Sequence, residues 1–168
     1  VRWIGGGTEV RPQDEEALLD AGHDDHAAAE ERVHAPRADE LGITPRTRWT
    51  GWRNDLSPFY QSASVFVSAA RHEPFGNVIL EAWAHGVPVV ATRTLGAQEL
   101  IEDETSGLLA PCAQPEKLAQ VILHALEQDD AARRALAGRG LQNIRAAYSR
   151  EAIVNAYLAL YQRLAGEG

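Results

Sequence analysis

The sequence of 168 residues contains no methionine, one cysteine and one lysine. The lone cysteine, Cys112, cannot form an internal disulfide, which fits a reducing compartment, so we expect a cytoplasmic location. Because translation starts with methionine, a chain that begins at Val1 and lacks this residue is expected to be a fragment or a processed product. No apolar run of about 18 residues occurs, so the sequence predicts no transmembrane helix.

Basic clusters and metal-binding patterns are absent as well. The formal net charge is −8, and the first 44 residues hold most of it, with 11 acidic and 4 basic side chains. Without a basic stripe, nucleic acid is not expected as a partner. The sequence has no Asp-x-Asp motif and its six histidines are scattered, so we expect no metal site.

A glycine run near the start, Gly5-Gly6-Gly7, matches a dinucleotide-binding fingerprint only in part. Val10 stands where that fingerprint has its third glycine, and Pro12 interrupts the helix that should follow. A tight turn after a strand explains the run better, so no nicotinamide or flavin cofactor is expected.

The remaining composition, 45% hydrophobic and 24% charged, is typical of a globular domain. Short apolar runs alternate with helical patterns, which favours an α/β domain with a Rossmann-like parallel sheet and flanking helices. The predicted strands are Val1 to Ile4, Thr47 to Trp52, Ser64 to Ser68, Pro88 to Thr92 and Gly107 to Ala110. The predicted helices are one or two within residues 13–41, Ser57 to Ala63, Asn77 to His85, one after Pro115 and a final one.

The last two of these helices carry apolar stripes at helical spacing, which predicts that both are buried against something. The first stripe consists of Leu118, Val121, Ile122, Ala125 and Leu126. The second consists of Ile153, Val154, Tyr157, Leu158, Tyr161 and Leu164.

The segment RHEPFGNVILEAWAHGVPVVAT, which begins at Arg71, holds the candidate site. Ligands of open parallel sheets bind at the carboxyl ends of strands, where the loop before Asn77 is expected to lie. Gly76 lets the backbone approach a ligand, and the free N–H groups of Gly76, Asn77 and Val78 are suited to phosphate. Glu73 precedes this turn and can accept hydrogen bonds from hydroxyl groups.

A second carboxylate, Glu81, follows one helical turn later among apolar neighbours. Burying a carboxylate is costly unless hydrogen-bond donors satisfy it, and sugar or ribose hydroxyls would do so. The residues alone leave an alternative open, in which Glu73 only caps the helix and Glu81 lies on a solvent-facing stripe.

The nine residues EPFGNVILE, from Glu73 to Glu81, resemble the E-x7-E signature of retaining GT-B glycosyltransferases of family 4, the glycosyl transferases group 1. The resemblance continues through EAWAHGVPVVATRTLGAQELIEDETSGLLAP and covers residues 44–165 well. It implies the C-terminal half of a GT-B fold in a bacterial-type hexosyltransferase. Such an enzyme uses a UDP-, GDP- or other nucleotide-sugar as donor and needs no cofactor.

The resemblance also implies residue roles. Glu73 holds hydroxyls of the donor sugar, the backbone from Phe75 through Gly76 and Asn77 to Val78 faces the sugar and the diphosphate, Glu81 accepts the ribose hydroxyls, and Arg53 contacts the base. Glu99 matches a frequent glutamate of the family to which we assign no role.

Other parts of the family pattern are missing. Val1 to Gly7 is similar to the second strand of the domain, so the first strand, its helix and an Arg/Lys pair that clamps the diphosphate are expected outside this chain. The acceptor-binding N-terminal domain is expected there too, together with any peripheral contact with a membrane. Alone, residues 1–168 are expected to bind donor weakly and to transfer nothing. Two alternatives stay open: a non-catalytic nucleotide-sugar-binding module, and another GT-B enzyme such as a sugar epimerase.

Overall fold

The computed structural model describes residue 32 and residues 34–51 and 53–166. Three parallel strands form its sheet, β1 (Phe66–Ser68), β2 (Val89–Thr92) and β3 (Leu108–Ala110), and β2 lies in the middle. Phe66 pairs with Val89 in the first register and Val90 with Leu108 in the second. The predicted parallel α/β architecture is therefore confirmed.

Helices connect and follow the strands. They are α1 (Ser57–Gln61), α2 (Asn77–Ala84), α3 (Leu95–Leu100), α4 (Pro115–Glu127), α5 (Asp130–Asn143) and α6 (Arg150–Gly166). A 3₁₀-helix spans Thr44–Arg46, a π-helix spans Ile144–Tyr148 between α5 and α6, and residues 34–40 are helical.

Successive side chains of a strand point to opposite faces of the sheet, and here each face packs into its own apolar cluster. Both faces are therefore buried. One face carries Phe66, Val89, Ala91 and Leu109, and α1, α2 and α3 cover it. The other face carries Val65, Val67, Val90 and Leu108, and α4 and α5 cover it. This double coverage explains why the strands are apolar except at the carboxyl ends of β1 and β2, Ser68 and Thr92, rather than alternating with polar residues.

Trp83 is the largest fully buried side chain and fixes α2 against its surroundings. Its indole Nε1 donates a hydrogen bond of 3.1 Å to the carbonyl oxygen of Ser106, just before β3. Helix α5 crosses the indole at Gly140, where an added Cβ would lie 2.3 Å from the ring. The close approach of α5 to α2 therefore requires glycine at this position.

The predicted burial of the α4 stripe is confirmed, since its residues pack around Ala125 against the second face of the sheet. The α6 stripe is different. Its large apolar side chains are between 42% and 61% exposed, and α6 has no buried residue. The expected partner of this stripe is thus absent from the part of the chain that the structure describes. None of the described helices is long and apolar enough to cross a membrane.

The strand predicted from Thr47 to Trp52 is wrong as far as the structure describes it, because residues 47–51 form no strand. Gly51 has a positive φ of 60°, which breaks an extended run. Arg48 and Arg53 donate hydrogen bonds to nearby carbonyl groups of the same segment instead of leaving them to a neighbouring strand. Trp52, the strand predicted from Val1 to Ile4 and most of the region 13–41 lie outside the described residues.

Candidate functional site

The site loop, residues 69–76, leads from the carboxyl end of β1 to the start of α2 and is tied to its neighbours. The hydroxyl of Thr92, at the end of β2, donates hydrogen bonds to the carbonyl oxygens of Ser68 and Ala70. The N–H of Gly96, in α3, donates a bond of 2.9 Å to the carbonyl oxygen of Glu73. The predicted loop therefore lies at the predicted edge of the sheet. Strand β2, through Thr92, and helix α3, through Gly96, fix its backbone.

Glycines permit this close packing on both sides of the loop. Gly76, the residue that caps α2, has φ 98° and ψ 40°, a backbone conformation that residues other than glycine rarely adopt. An added Cβ there would lie 2.9 Å from the side chain of Leu100. At Gly96 an added Cβ would lie only 2.5 Å from the carbonyl carbon and oxygen of Phe75. The start of α3 thus forms a backing wall for the site loop.

Glu73 folds back onto the start of α2. Its Oε1 accepts a hydrogen bond of 2.9 Å from the N–H of Gly76 and a longer one of 3.4 Å from that of Phe75. The expectation that the N–H of Gly76 is free is therefore wrong, because a carboxylate at a helix N-terminus satisfies amides that the helix cannot. Glu73 acts as a capping acid, as the alternative interpretation had it.

Two amides at the start of α2 remain open. The N–H groups of Asn77 and Val78 have no acceptor among the described residues, and the Oε2 atom of Glu73 has no donor there. These groups lie beside one another at the positive end of the helix, where anions bind favourably. The arrangement can thus bind an anion through two amides and a hydroxyl through one carboxylate oxygen.

Glu81 is exposed, so its predicted burial among apolar neighbours is wrong. Asn77, Ala84 and His85 are exposed too, at spacings that place them on the same side of α2 as Glu81, while Trp83 faces the core. The apolar residues next to Glu81 in sequence point elsewhere, so proximity in sequence was misleading. Its carboxylate is still satisfied on one side, because Oε2 accepts a hydrogen bond of 3.1 Å from the hydroxyl of Tyr60.

Tyr60 is the site residue that the sequence did not predict. Its side chain is 1% exposed, and its ring stacks on the imidazole of His85 with ring centres 4.9 Å apart. Burial, then the charge and the hydrogen bond of Glu81, raise the pKa of Tyr60 far above its usual value. A tyrosine in a short helix immediately before a buried strand was the only sequence signal available.

Arg53 lies in the turn before α1 and is exposed. Its Nε donates a hydrogen bond of 2.7 Å to the carbonyl oxygen of Thr50. Two residues later Asp55 accepts a bond of 2.9 Å from the N–H of Ser57, and the bonds from Ser57 lower the pKa of this carboxyl group. Among the described residues no hydrogen bond or ion pair joins Arg53 to Glu81 or to the site loop, so only α1 connects them.

Phe75 presents its ring beside the start of α2 and is 44% exposed. The ring of Tyr148, in the π-helix, meets it edge-on with centres 6.1 Å apart. The aromatic edge of the site is therefore held by the segment between α5 and α6.

The described residues contain no group of three histidine, cysteine, aspartate or glutamate side chains arranged for a metal ion. An open depression of about 270 Å³ lies between β3 and α4, lined among others by Leu108, Gln120, Val121 and His124. None of the predicted site residues borders it. The predicted site is thus an open surface at the loop and helix start, separate from this depression.

Comparison with known proteins gives consistent matches. The family model described as glycosyl transferases group 1 matches residues 8–128. The lipopolysaccharide core biosynthesis glycosyltransferase LpsE of Rhizobium meliloti (strain 1021) is 43% identical over 123 residues, which are 73% of this chain and 36% of that protein.

Solved structures agree with the sequence match. Sucrose-phosphate synthase from Thermosynechococcus elongatus superposes with a TM-score of 0.76 at 30% identity, over 99% of this chain and 39% of that one. Anabaena Alr3699/HepE in complex with UDP-glucose superposes with a TM-score of 0.66 at 27% identity, over 83% of this chain and 37% of that one. This chain therefore spans somewhat more than a third of the length of each of these relatives.

Proposed function

Because this chain belongs to the glycosyl transferases group 1 family, we propose that it is the donor-binding part of an enzyme that moves a sugar from a nucleotide-sugar to an acceptor with retention of configuration. The relative HepE, whose structure contains UDP-glucose, supports a nucleotide-sugar as the donor. We also propose that the protein is located in the cytoplasm.

The observation that carries the proposal is the start of α2, with two open amides between two carboxylates. The N–H groups of Asn77 and Val78 bind the diphosphate, since they lie at the positive end of the helix. Glu73 uses its open Oε2 atom for hydroxyls of the donor sugar, with Phe75 and Gly76 beside it. Glu81 accepts bonds from the ribose, and Arg53 reaches the base.

Charge at this site explains how the leaving group is stabilised. The diphosphate gains negative charge as the sugar departs, and the amides at the helix start are oriented to stabilise it without a metal ion. Glu73 places a negative charge at the same helix end, so cations are needed nearby. The lone lysine, Lys117, lies in α4 on the other face of the sheet. By resemblance to the family, we propose that the Arg/Lys pair that balances the diphosphate, and the acceptor site, lie in parts of the protein outside this chain.

Titration against a panel of UDP-, GDP-, ADP- and TDP-sugars tests the proposal. The parent is expected to prefer one base, and Glu81→Ala is expected to weaken that donor about 10- to 100-fold, the range for hydrogen bonds to a charged group. Glu127→Ala, at the end of α4 on the opposite face of the sheet, is the matched control and should bind as the parent does. Equal binding of all nucleotides by Glu81→Ala and the parent would show that the ribose role is wrong.

Transfer itself needs a separate assay with the full gene product. Proton NMR of the first product formed should show the anomeric configuration of the donor sugar. Donor binding without any transfer to a range of acceptors would instead favour the non-catalytic binding module.

A further inference from the structure

Tyr60 connects the core of the domain to the exposed carboxylate of Glu81. Its ring is held on one side by His85, at 4.9 Å and 17° between ring planes, and on another by Phe66 at 5.8 Å. His85 lies on α2 just after Glu81, and its Nδ1 is 2.8 Å from the carbonyl oxygen of Glu81. The phenol is thus fixed by packing against the same helix that carries the carboxylate.

Among the residues that the structure describes, the hydroxyl of Tyr60 has one partner, the Oε2 atom of Glu81 at 3.1 Å. The described residues offer this carboxylate no other donor. Burial and the charge of Glu81 raise the pKa of Tyr60. The phenol therefore keeps its proton at neutral pH and donates the hydrogen bond. A free glutamate on a helix surface samples several rotamers, whereas this bond selects one of them.

We propose that Tyr60 is a positioning residue that orients the Glu81 carboxylate toward the two neighbouring ribose hydroxyls of the nucleotide, an inference that rests on the proposed function. A carboxylate has about four acceptor positions, and Tyr60 takes only one of them. Oε1 stays open for the ribose. Binding then loses less side-chain freedom than it would with a mobile glutamate, which is the general advantage of preorganisation.

The position of Tyr60 in α1 extends the effect to the base side. Asp55 caps the start of α1 through the N–H of Ser57, and the turn with Arg53 comes just before it. The hydrogen bond at the end of α1 therefore ties this turn to α2. Tyr60 sets the distance between the groups proposed to meet the base and the ribose.

The test titrates Tyr60→Phe and the parent, as full gene products, with UDP and with 2′,3′-dideoxy-UDP. Phenylalanine keeps the ring and its stacking, so the variant should fold, which circular dichroism melts check. The Kd for UDP should rise about tenfold, the range for loss of one hydrogen bond, while the Kd for the dideoxy compound should not change. Tyr157→Phe, which removes an exposed hydroxyl on α6, is the control that should leave both values unchanged.

Equal weakening of both ligands would assign Tyr60 to general packing and overturn the inference, as would an unchanged Kd for UDP. Glu81→Ala separates this failure from failure of the proposed function. If Glu81→Ala weakens UDP and Tyr60→Phe does not, only the role of Tyr60 is wrong. If neither variant weakens UDP, the ribose role of Glu81 is wrong as well.

A crystal structure of the parent with UDP tests the same contact without any substitution, and so also covers a Tyr60→Phe variant that failed to fold. The Tyr60 hydroxyl should stay within about 3.2 Å of Glu81 while that carboxylate contacts the ribose. A carboxylate that contacts the ribose but has turned away from Tyr60 would overturn the inference.

Discussion

Replacing Gly96 by alanine should disturb the site from behind without removing any group that faces a ligand. The added Cβ would lie 2.5 Å from the backbone of Phe75, whereas ordinary contacts begin at 3.4 Å, so one backbone must move by about 0.9 Å. Overpacking of this kind costs about 1–3 kcal/mol of unfolding free energy. Because the site loop is tied to α3 through the N–H of Gly96, the shift reaches the start of α2.

Misplacement of binding groups by about 1 Å can lower activity about 100-fold, so we expect Gly96→Ala, introduced into the full gene product, to reduce the proposed nucleotide-sugar transfer by about 10- to 100-fold. Urea unfolding and transfer assays on the same preparations separate stability from activity. Gly138→Ala is the matched control: it lies in α5 with nothing within 4 Å of the added Cβ, and should gain up to about 1 kcal/mol from helix propensity. A Gly96→Ala enzyme with parental activity would refute the claim that α3 positions the loop.

Three further changes test the structure. Gly140→Ala should lower the unfolding free energy by about 1–3 kcal/mol in urea titrations, because the Cβ would lie 2.3 Å from the indole of Trp83; an unchanged midpoint would contradict that contact. Asp129→Ala should cost about 1 kcal/mol, since this N-cap of α5 accepts an amide bond of 2.8 Å, whereas Asp129→Asn should keep most of the stability. The raised pKa of Tyr60 makes the unfolded chain lose this proton first, near pH 10, so this contribution to stability should be intact at neutral pH and fall as pH rises above about 10. That fall should be smaller in Tyr60→Phe, and an equal fall in both proteins would show that Tyr60 does not titrate as described.

Local sequence signals predicted the family and the frame of the fold correctly. The run PVVAT became the central strand β2, because continuous apolar residues suit a strand covered on both faces. The start of α2 at Asn77 follows from Gly76, whose positive φ ends the loop. The α4 stripe faces the sheet as its spacing indicated. Each of these signals lies within a few residues of the element that it predicts.

Contacts between distant segments could not be predicted in this way. The bond from Tyr60 to Glu81 joins residues 21 positions apart, and no periodic pattern encodes it. The packing of Gly96 on Phe75 likewise depends on how two loops meet at one sheet edge. Helix α3 between β2 and β3 was missed, because its six residues are too short for a helical stripe. The exposure of Glu81 shows the same limit, since helix geometry separates sequence neighbours onto different faces.

We propose above that the amides at the start of α2 bind the diphosphate of the donor. The most direct measurement is a ¹H–¹⁵N NMR titration of the full gene product, labelled at asparagine and valine, with UDP-glucose. The amide signals of Asn77 and Val78 should shift most as UDP-glucose saturates the protein. Shifts that leave these two amides unchanged and instead follow Val121, beside the depression between β3 and α4, would contradict it.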